Sequence, residues 1–329
     1  DQHHLFYDAI YDNDKKDVLN IRRTRGIKFF RRRRKVREMI PFIESKQVRL
    51  VIADSWKSFE LPIEYLNKNK IPTICLAHGN ELIENNIRKK NKIKNIFDKV
   101  NMIVANSEFT SNLAKKFLKN RNNIKFIYPG ANDLRNILSD SFIDIKGSPV
   151  IVTLARLEKR KGHVEIIKTV KKLTKIFPNI QYIIAGEGSE KSNLIKIVKE
   201  NALENNVLFV GLVNESQKSY LFKNSDLMVM PTLDESNQGS IEGFGIVYLE
   251  AAFFGIPSIA SDVGGTKEAV LHDKTGIIIK DIDDLYFSIY ELLTNKEKRI
   301  SLGKQAQKRA IQYFSWKHVA DKYLNAINK

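Results

Sequence analysis

Short apolar runs alternate with stretches of helical periodicity along the whole chain, and they fall into two series. Such alternation predicts parallel β-strands joined by crossover helices. The runs of the first series are residues 18–21, 50–53, 73–77, 102–105 and 125–128. The runs of the second series are residues 150–155, 182–185, 207–210, 227–230, 258–260 and 276–279. We therefore expect an α/β fold of two Rossmann-like, doubly wound domains.

A stretch with little pattern separates the two series and predicts a domain boundary. It follows the turn residues Tyr128-Pro129-Gly130 and ends at Gly147-Ser148-Pro149. A chain of 329 residues is long enough for about two domains. We predict one domain over residues 1–147, a second over residues 148–313, and a helix over residues 314–329 that crosses back to the first domain.

Cysteine content and hydropathy exclude several classes of protein. The single cysteine, Cys75, excludes an internal disulfide framework and a zinc site of the multi-cysteine kind. We expect no metal site, because the histidines show no metal-ligand spacing. The longest apolar stretch, residues 244–260, is interrupted by Glu250, Gly255 and Pro257, so we expect no membrane-spanning helix.

The net charge of +17 is concentrated in the first half of the chain. Residues 1–147 hold 30 Lys and Arg against 17 Asp and Glu, a net +13, and the remainder has a net +4. The densest part, residues 22–37, carries four consecutive arginines directly after Phe29 and Phe30. A solvated helix face and an anionic membrane surface are both open interpretations, since basic residues beside exposed aromatics suit interfacial binding. Nucleic acid is not expected, because no zinc, helix-turn-helix or RNP-type signature accompanies the charge.

Two glutamates eight residues apart, Glu242 and Glu250, flank a glycine-rich helix start. Gly243 and Gly245 would leave this helix N-terminus bare, so that its backbone NH groups and the positive end of its dipole face an anion such as phosphate. Glu250 lies about a turn and a half further into an apolar helix, where a buried carboxylate needs a partner. The segment predicts a phosphate ligand with one carboxylate on each side. A glutamate that only pairs with a Lys or Arg is the alternative.

Cations and glycines follow two runs of the second series. Arg156 and Lys161 come after the run at residues 150–155, where paired cations can clamp a diphosphate and neutralise a departing one. A solvated charge run is the alternative. Gly186 and Gly188 form a strand-to-helix turn like half of a dinucleotide fingerprint, but no complete G-x-G-x-x-G motif follows.

His78 ends the run at residues 73–77 in the first domain. Gly79 beside it permits the close approach of a ligand. A lone histidine is more often a packed structural residue, so a structural and a ligand-binding role both remain open.

With these motifs the sequence resembles the retaining glycosyltransferases of family 4, which have the two-domain GT-B fold. The resemblance covers nearly the whole chain. It is carried by Ala77-His78-Gly79, Asn106-Ser107-Glu108, Tyr128-Pro129-Gly130, residues 156–162, Ala185-Gly186-Glu187-Gly188, Glu242 with Glu250, and Asp262-Val263-Gly264-Gly265. It implies two Rossmann-like domains that face each other across a cleft, with residues 1–147 on the acceptor side and residues 148–313 binding a nucleotide sugar.

The resemblance also implies roles for individual residues. Arg156 and Lys161 would hold the donor diphosphate, Glu242 would contact the transferred sugar, and Glu250 would bind the ribose hydroxyls. His78 would line the sugar pocket from the opposite domain.

The glycine-rich helix start has an implied role of its own. The backbone NH groups of Phe244 and Gly245 would meet the phosphates. Gly186, Gly188 and Gly243 would belong to the same nucleotide site.

Residues 242–250 look most similar to phosphatidylinositol mannosyltransferase-like members of the family. That similarity implies a GDP- or UDP-linked hexose as donor substrate, no cofactor, and a glycan or lipid-linked acceptor. We expect a cytoplasmic enzyme whose basic first domain holds it peripherally at the inner face of the membrane. Members of the family open with a strand, a Gly-rich loop and a helix, so we expect the chain to lack this N-terminal unit.

The expected reaction is sugar transfer with retained configuration. The resemblance implies attack on the same face of the sugar, with the departing phosphate helping to deprotonate the acceptor, and no carboxylate is obviously placed as a nucleophile. A sugar-nucleotide epimerase or a phosphorylase on the same fold, and a noncatalytic basic binding protein, are the alternative functions.

Overall fold

The computed structural model describes residues 4–7, 20–24, 27–119 and 123–328, and the chain divides into two compact units. The first unit comprises Asp1–Ala77, Glu84–Val104 and Ala114–Lys125. The second unit comprises His78–Ile83, Ala105–Leu113 and Phe126–Lys329. The domain boundary expected after residue 147 stays a prediction.

The strands before residue 127 form two sheets. They are β1 (His4–Tyr7), β2 (Asn20–Arg23), β3 (Val51–Ala53), β4 (Thr73–Ala77), β5 (Met102–Ala105) and β6 (Ile124–Phe126). Strands β1 and β2 pair in parallel. The other sheet has the order β3-β4-β5-β6, and its β3 and β4 are parallel.

Helices connect these strands. They are α1 (Lys28–Ser45), α2 (Trp56–Phe59), α3 (Ile63–Lys68), α4 (Ile87–Phe97) and α5 (Glu108–Lys115). Asn86 is the N-cap of helix α4, and its side chain accepts hydrogen bonds from the NH groups of Arg88 and Lys89. Such a cap satisfies donors that a helix start otherwise leaves without a partner.

The second unit holds a six-stranded sheet in which every pair of neighbours is parallel. Its strands are β7 (Val150–Leu154), β8 (Gln181–Ala185), β9 (Val207–Gly211), β10 (Leu227–Met230), β11 (Ser258–Ser261) and β12 (Gly276–Ile279). Their order in the sheet is β12-β11-β10-β7-β8-β9. The chain therefore builds outwards from β7 to β9 on one side, returns, and builds from β10 to β12 on the other, which makes the sheet doubly wound.

Helices cover both faces of this sheet. They are α6 (His163–Leu173), α7 (Lys191–Glu200), α8 (Glu215–Lys223), α9 (Ile246–Phe253), α10 (Thr266–Ala269), α11 (Asp284–Thr294) and α12 (Lys296–Tyr313). A further helix, α13 (Trp316–Ile327), follows α12. Val152 of β7 packs in a core with Leu249 of α9, and its neighbour Ile151 packs in a second core with Ile166 of α6. Successive side chains of a strand point to opposite faces, so one apolar strand supplies both cores.

The α/β class expected from the alternation of runs is confirmed. Every run predicted from the sequence overlaps a strand of the structure, although residues 18 and 19 of the first run lie outside the described residues. Strand β1 was not predicted. Among the described helices, none combines the length and hydropathy that a membrane span requires.

Candidate active site

The loops that follow β7 and β10 leave neighbouring strands at the same edge of the sheet, where the strand order reverses. Open α/β sheets bind their ligands at such a switch point. The loop after β7 carries Arg156, Arg160 and Lys161, and the loop after β10 leads to Glu242. The topology of the second unit thus assembles the candidate site.

Helix α9 begins directly after Gly245, without a side-chain cap. Gly245 has φ 91° and ψ 66°, a left-handed conformation that glycine adopts without steric clash. Because no side chain caps the first turn, its NH groups and the positive end of the helix dipole are left to interact with an anion. The structure has the bare helix start that the two glycines predicted.

Gly243 brings the loop before α9 against the turn at His78. A β-carbon on Gly243 would overlap the carbonyl oxygen of His78 and would lie 3.0 Å from Nδ2 of Asn106. That Asn106 Nδ2 donates a hydrogen bond to the same carbonyl oxygen, at 3.2 Å. The backbone of His78 is therefore packed beside Gly243, and His78 itself is exposed.

Two hydrogen bonds fix the backbone around Glu242. The NH of Ile241 donates to Oδ1 of Asn80, at 2.6 Å. The NH of Gly265 donates to the carbonyl oxygen of Glu242, at 3.0 Å. Glu242 therefore has a defined backbone position from which its side chain extends.

The carboxylate of Glu242 binds two buried cations through one oxygen. Its Oε2 lies 2.5 Å from Nζ of Lys161 and 2.9 Å from Nη1 of Arg160. The side chains of Glu242, Lys161 and Arg160 are 14%, 11% and 4% exposed. Burial alone would raise the pKa of Glu242, but the charges and hydrogen bonds of Lys161 and Arg160 outweigh it, so the pKa is lowered. Burial also lowers the pKa of Lys161, against the attraction of Glu242.

A 3₁₀ turn, Lys159–Lys161, places both cations. The NH of Leu233, in the loop after β10, donates to the carbonyl oxygen of Arg160 at 2.7 Å and so ties the two loops together. Arg160 was not among the residues that the sequence singled out. The sequence feature that could have identified Arg160 is its position beside Lys161, in a basic run that directly follows a strand.

Arg156 and Lys161 do not share a carboxylate partner. Its side chain is 65% exposed, and its Nη1 lies 2.6 Å from Oε1 of Glu158. Oε2 of Glu158 lies 3.7 Å from Nη2 of Arg160. The two predicted clamp residues therefore have different carboxylate partners, and their joint role at a diphosphate stays a prediction.

Gly186 and Gly188 lie against the loop that carries Arg156. A β-carbon on Gly186 would overlap the carbonyl oxygen of Ala155, and one on Gly188 would overlap that of Leu157. The NH of Leu157 also donates to the carbonyl oxygen of Glu187, at 3.0 Å. These glycines thus allow two loops at the carboxyl edge of the sheet to pack tightly, and a nucleotide contact at them stays a prediction.

Glu250, on α9, has a cation partner of its own. Nζ of Lys218, on α8, lies 3.0 Å from its Oε1, and the Glu250 side chain is 12% exposed. The buried carboxylate expected from the apolar helix therefore has the counter-ion that its burial requires.

The side chain of Phe244 belongs to the core. It is 1% exposed and stacks on Tyr128, with 5.2 Å between the ring centroids. Burial, with Glu268 nearby, raises the pKa of Tyr128 to about 12. The side chain of Phe244 is therefore not available to a ligand, and a contact through its backbone NH stays a prediction.

His163 lies beneath the loop of Arg156. Its Nδ1 lies 3.1 Å from the hydroxyl of Tyr182, and its Nε2 lies 3.4 Å from the carbonyl oxygen of Arg156. Burial lowers the pKa of His163 to about 4, so the imidazole is neutral at physiological pH. In the described part of the chain, no group of three His, Cys, Asp or Glu residues is placed to hold a metal ion.

Comparison with known proteins identifies a family and a fold. The family model for glycosyl transferases group 1 matches residues 136–309, a range that contains every predicted site residue except His78. A relative from Corynebacterium glutamicum, a GDP-mannose-dependent monoacylated alpha-(1-6)-phosphatidylinositol monomannoside mannosyltransferase, is 30% identical over 182 residues. That alignment covers 55% of this chain and 47% of the relative, so the chain matches about half the length of such proteins.

Solved structures show the same architecture at lower identity. Sucrose-phosphate synthase from Thermosynechococcus elongatus superposes with a TM-score of 0.83 at 18% identity, over 99% of this chain and 88% of that one. Anabaena HepE in complex with UDP and glucose superposes with a TM-score of 0.78 at 18% identity, over 94% and 86%. The α/β fold with its parallel sheets is thus the predicted GT-B fold.

Proposed function

Because this chain belongs to the glycosyl transferases of group 1, we propose that it transfers a hexose-type sugar from a nucleotide-diphosphate donor to an acceptor hydroxyl. The observation that carries the proposal is the position of Glu242, with its two buried cations, in the loop that leads to the uncapped start of α9. A helix start suits a phosphate, and an ionised carboxylate accepts hydrogen bonds from sugar hydroxyls. A nucleotide sugar carries both groups.

In this proposal the leaving diphosphate is the group that needs stabilising, because negative charge develops on it as the bond to the sugar breaks. Lys161 and Arg156 supply positive charge, and the NH groups of Phe244 and Gly245 donate hydrogen bonds. Gly243 lets the backbone before the helix pack against the carbonyl oxygen of His78.

The two carboxylates then bind the two ends of the donor. Glu242 accepts hydrogen bonds from hydroxyls of the transferred sugar, and His78, whose backbone lies beside Gly243, lines the same pocket. Glu250 binds the ribose hydroxyls. Gly186 and Gly188 shape the floor of the nucleotide site beside Arg156.

We propose that the configuration at the sugar is retained by attack on the same face. A carboxylate with a lowered pKa that is bound to two cations is a weak base and a weak nucleophile. Glu242 is therefore suited to hold the sugar, and the departing phosphate takes the proton of the acceptor. A covalent glycosyl-enzyme intermediate, detected by mass spectrometry, would refute this mechanism.

The donor is proposed to be GDP- or UDP-linked, with no cofactor. The relative from C. glutamicum is named as GDP-mannose-dependent, and the HepE structure holds UDP and glucose. Both names support a nucleoside diphosphate hexose, and GDP-mannose and UDP-glucose are the donors to test first.

We further propose a glycan or lipid-linked acceptor bound by residues 1–147, with residues 148–313 binding the donor. In the first unit, Oε2 of Glu60 lies 3.0 Å from Arg32 of α1, and Oε1 lies 2.5 Å from Lys92 of α4, so one carboxylate contacts two basic helices. Ile27 and Ile87, at the starts of these helices, are 73% and 67% exposed.

Basic side chains beside exposed apolar ones suit the surface of an anionic membrane. This supports a cytoplasmic protein that associates peripherally with the inner face of the membrane. Arg25 and Gly26, within the basic stretch, lie outside the described residues.

Nucleotide binding tests the proposed function directly. Thermal unfolding of the protein is measured with GDP, UDP, ADP and NAD, for the parent and for Glu250→Ala. We expect one of the two diphosphates GDP and UDP to raise the midpoint of the parent, since a ligand that binds only the folded state stabilises it. Glu250→Ala should remove most of that shift.

Glu200→Ala is the matched control, because Glu200 also pairs with a lysine, Lys196 at 3.7 Å, on the exposed side of α7. It should keep the full shift. No shift with any nucleotide would refute the proposed function. Epimerised donor, or turnover that depends on inorganic phosphate, would instead support one of the alternative reactions on this fold.

A further inference from the structure

Arg160 is a buried arginine whose charge the proposed reaction does not yet use. Its side chain is 4% exposed, and its Nη1 binds Oε2 of Glu242 at 2.9 Å. Its Nε is buried and has no hydrogen-bond partner among the described residues. Arginine is seldom buried to this degree, because removing a guanidinium from water is unfavourable without a strong partner. Contact with water therefore cannot explain why a charged residue lies at this position.

The geometry around Glu242 leaves one of its oxygens open. Lys161 and Arg160 both bind Oε2, and Oε1 makes no hydrogen bond to any described residue. The Glu242 side chain is also 14% exposed, so a small ligand can reach it. A carboxylate oxygen in this position accepts hydrogen bonds and nothing else.

Lys161 and Arg160 differ in what they can do when a diphosphate arrives. Lys161 has a flexible side chain and a single charged nitrogen. If this nitrogen moves from Glu242 to a phosphate, Glu242 loses one of the two cations that it binds. Arg160 has carboxylates on both sides, Glu242 at 2.9 Å and Glu158 at 3.7 Å, and its backbone is tied to the loop after β10. Arginine also keeps its charge when buried.

We propose that Arg160 is the positioning residue of Glu242: it keeps the carboxylate ionised, with Oε1 available to hydroxyls of the donor sugar, when Lys161 moves to the donor diphosphate. This inference rests on the proposed function. Without Arg160, burial would favour the protonated carboxyl in the donor complex. A protonated Glu242 loses acceptor strength at the point where the sugar has to be held.

The test compares Arg160→Met, which removes the charge and keeps an unbranched side chain, with Arg160→Lys, which keeps the charge. GDP-mannose and UDP-glucose are the probes, and the release of nucleoside diphosphate is followed against pH. For Arg160→Met we expect kcat to fall about 10²-fold and the acid limb of its pH profile to move up by about one unit. The dissociation constant for GDP or UDP should stay nearly unchanged, and Arg160→Lys should return the acid limb toward that of the parent.

Arg299→Met is the matched control, because Arg299 also pairs with a carboxylate, Asp226 at 3.2 Å, and is 16% exposed at the side chain. It should leave the acid limb in place. If Arg160→Met also leaves it in place, or weakens the binding of GDP or UDP as much as it lowers kcat, the inference is overturned.

A double-mutant cycle covers the case in which Arg160→Met folds poorly. The double variant Arg160→Met, Glu242→Gln leaves no buried charge stranded between these two residues. If Arg160 acts through Glu242, kcat of the double variant should equal that of Glu242→Gln alone. Additive losses would overturn the inference. A parent protein that binds no nucleoside diphosphate would instead refute the proposed function on which the inference rests.

Discussion

Lys218 of α8 binds Glu250 of α9, with 3.0 Å between Nζ and Oε1. Glu250 is the single carboxylate of an otherwise apolar helix, and Lys218 provides the positive charge that it needs there. The pair joins two helices of the second unit. In the proposed function, the same carboxylate also binds the ribose.

The variant Lys218→Met tests the structural part of this relationship. It leaves a mostly buried carboxylate without its cation, so we expect a loss of about 1–2 kcal/mol, seen as a fall of about 2–6 °C in the thermal midpoint. Adding Glu250→Gln removes the stranded charge and should recover part of the loss. Calorimetry that finds the same midpoint for Lys218→Met and the parent would contradict the prediction.

Gly243→Ala should disrupt the site through one methyl group. The new carbon would overlap the carbonyl oxygen of His78, so the loop before α9 has to move, and we expect a loss of about 2–3 kcal/mol together with weaker nucleotide binding. Gly255→Ala is the control: Gly255 has φ 73°, but the nearest atom, Nε2 of Gln307, would lie 3.7 Å from the new carbon. That variant should lose only about 1–2 kcal/mol from backbone strain. Urea unfolding compares the two, and a larger loss in Gly255→Ala would be evidence against the packing described.

His163 should make the protein less stable in mild acid. Its pKa is about 4 in the folded chain against the ordinary histidine value of 6.5, so between these pH values the unfolded chain binds a proton that the folded chain does not. The free energy of unfolding therefore falls as the pH goes from 6.5 to 4, by up to about 3 kcal/mol from this residue.

His163→Gln removes that proton uptake. Its stability should decline less than that of the parent across the same pH range, even if it is lower at pH 7. The control variant is His318→Gln, at a half-buried histidine of α13, and the pH dependence of stability should change more in His163→Gln than in this control. Parallel stability curves for the parent and His163→Gln, measured by urea unfolding at several pH values, would show that the histidine is not the cause.

The basic helix α1 should bind anionic vesicles in a salt-sensitive way. Arg33 and Arg37 are exposed on it, and each basic side chain near an anionic surface contributes about 1 kcal/mol. The double variant Arg33→Glu, Arg37→Glu should therefore weaken sedimentation with phosphatidylglycerol vesicles by about tenfold or more. The control reverses two exposed lysines of α7, Lys196 and Lys199, and should sediment like the parent. Binding that is equal for both double variants, or insensitive to salt, would argue against a membrane role for α1.

The strands of the second unit were predictable from sequence because its sheet is buried on both faces. Such strands give continuous apolar runs, as β7 does, and turn residues bound them. Strand β1 was not predicted, because its four residues, with Leu5 and Phe6 at the centre, form an apolar run too short to be distinguished from a loop.

The ion pairs of the site were not predictable in the same way. Arg156, Arg160 and Lys161 look alike in a basic run, yet the structure buries two of them and leaves Arg156 exposed. Which cation is buried depends on Glu242, which lies 81 residues away from Lys161 and is brought to it only by the parallel arrangement of β7 and β10. Periodicity carries no information about contacts of that kind.

The second unit includes two short segments that precede its main part, Phe126–Lys329, in the sequence: His78–Ile83 and Ala105–Leu113. The first segment supplies the His78 carbonyl that faces Gly243 and the Asn80 side chain that accepts a hydrogen bond from Ile241, and the second supplies Asn106, which donates to that carbonyl. The family match starts only at residue 136. A chimera that exchanged residues 136–309 for those of a relative would therefore combine the loop before α9 from one parent with its backbone supports from another. In the proposed function, a graft that changes donor specificity has to carry these two segments together with the matched region.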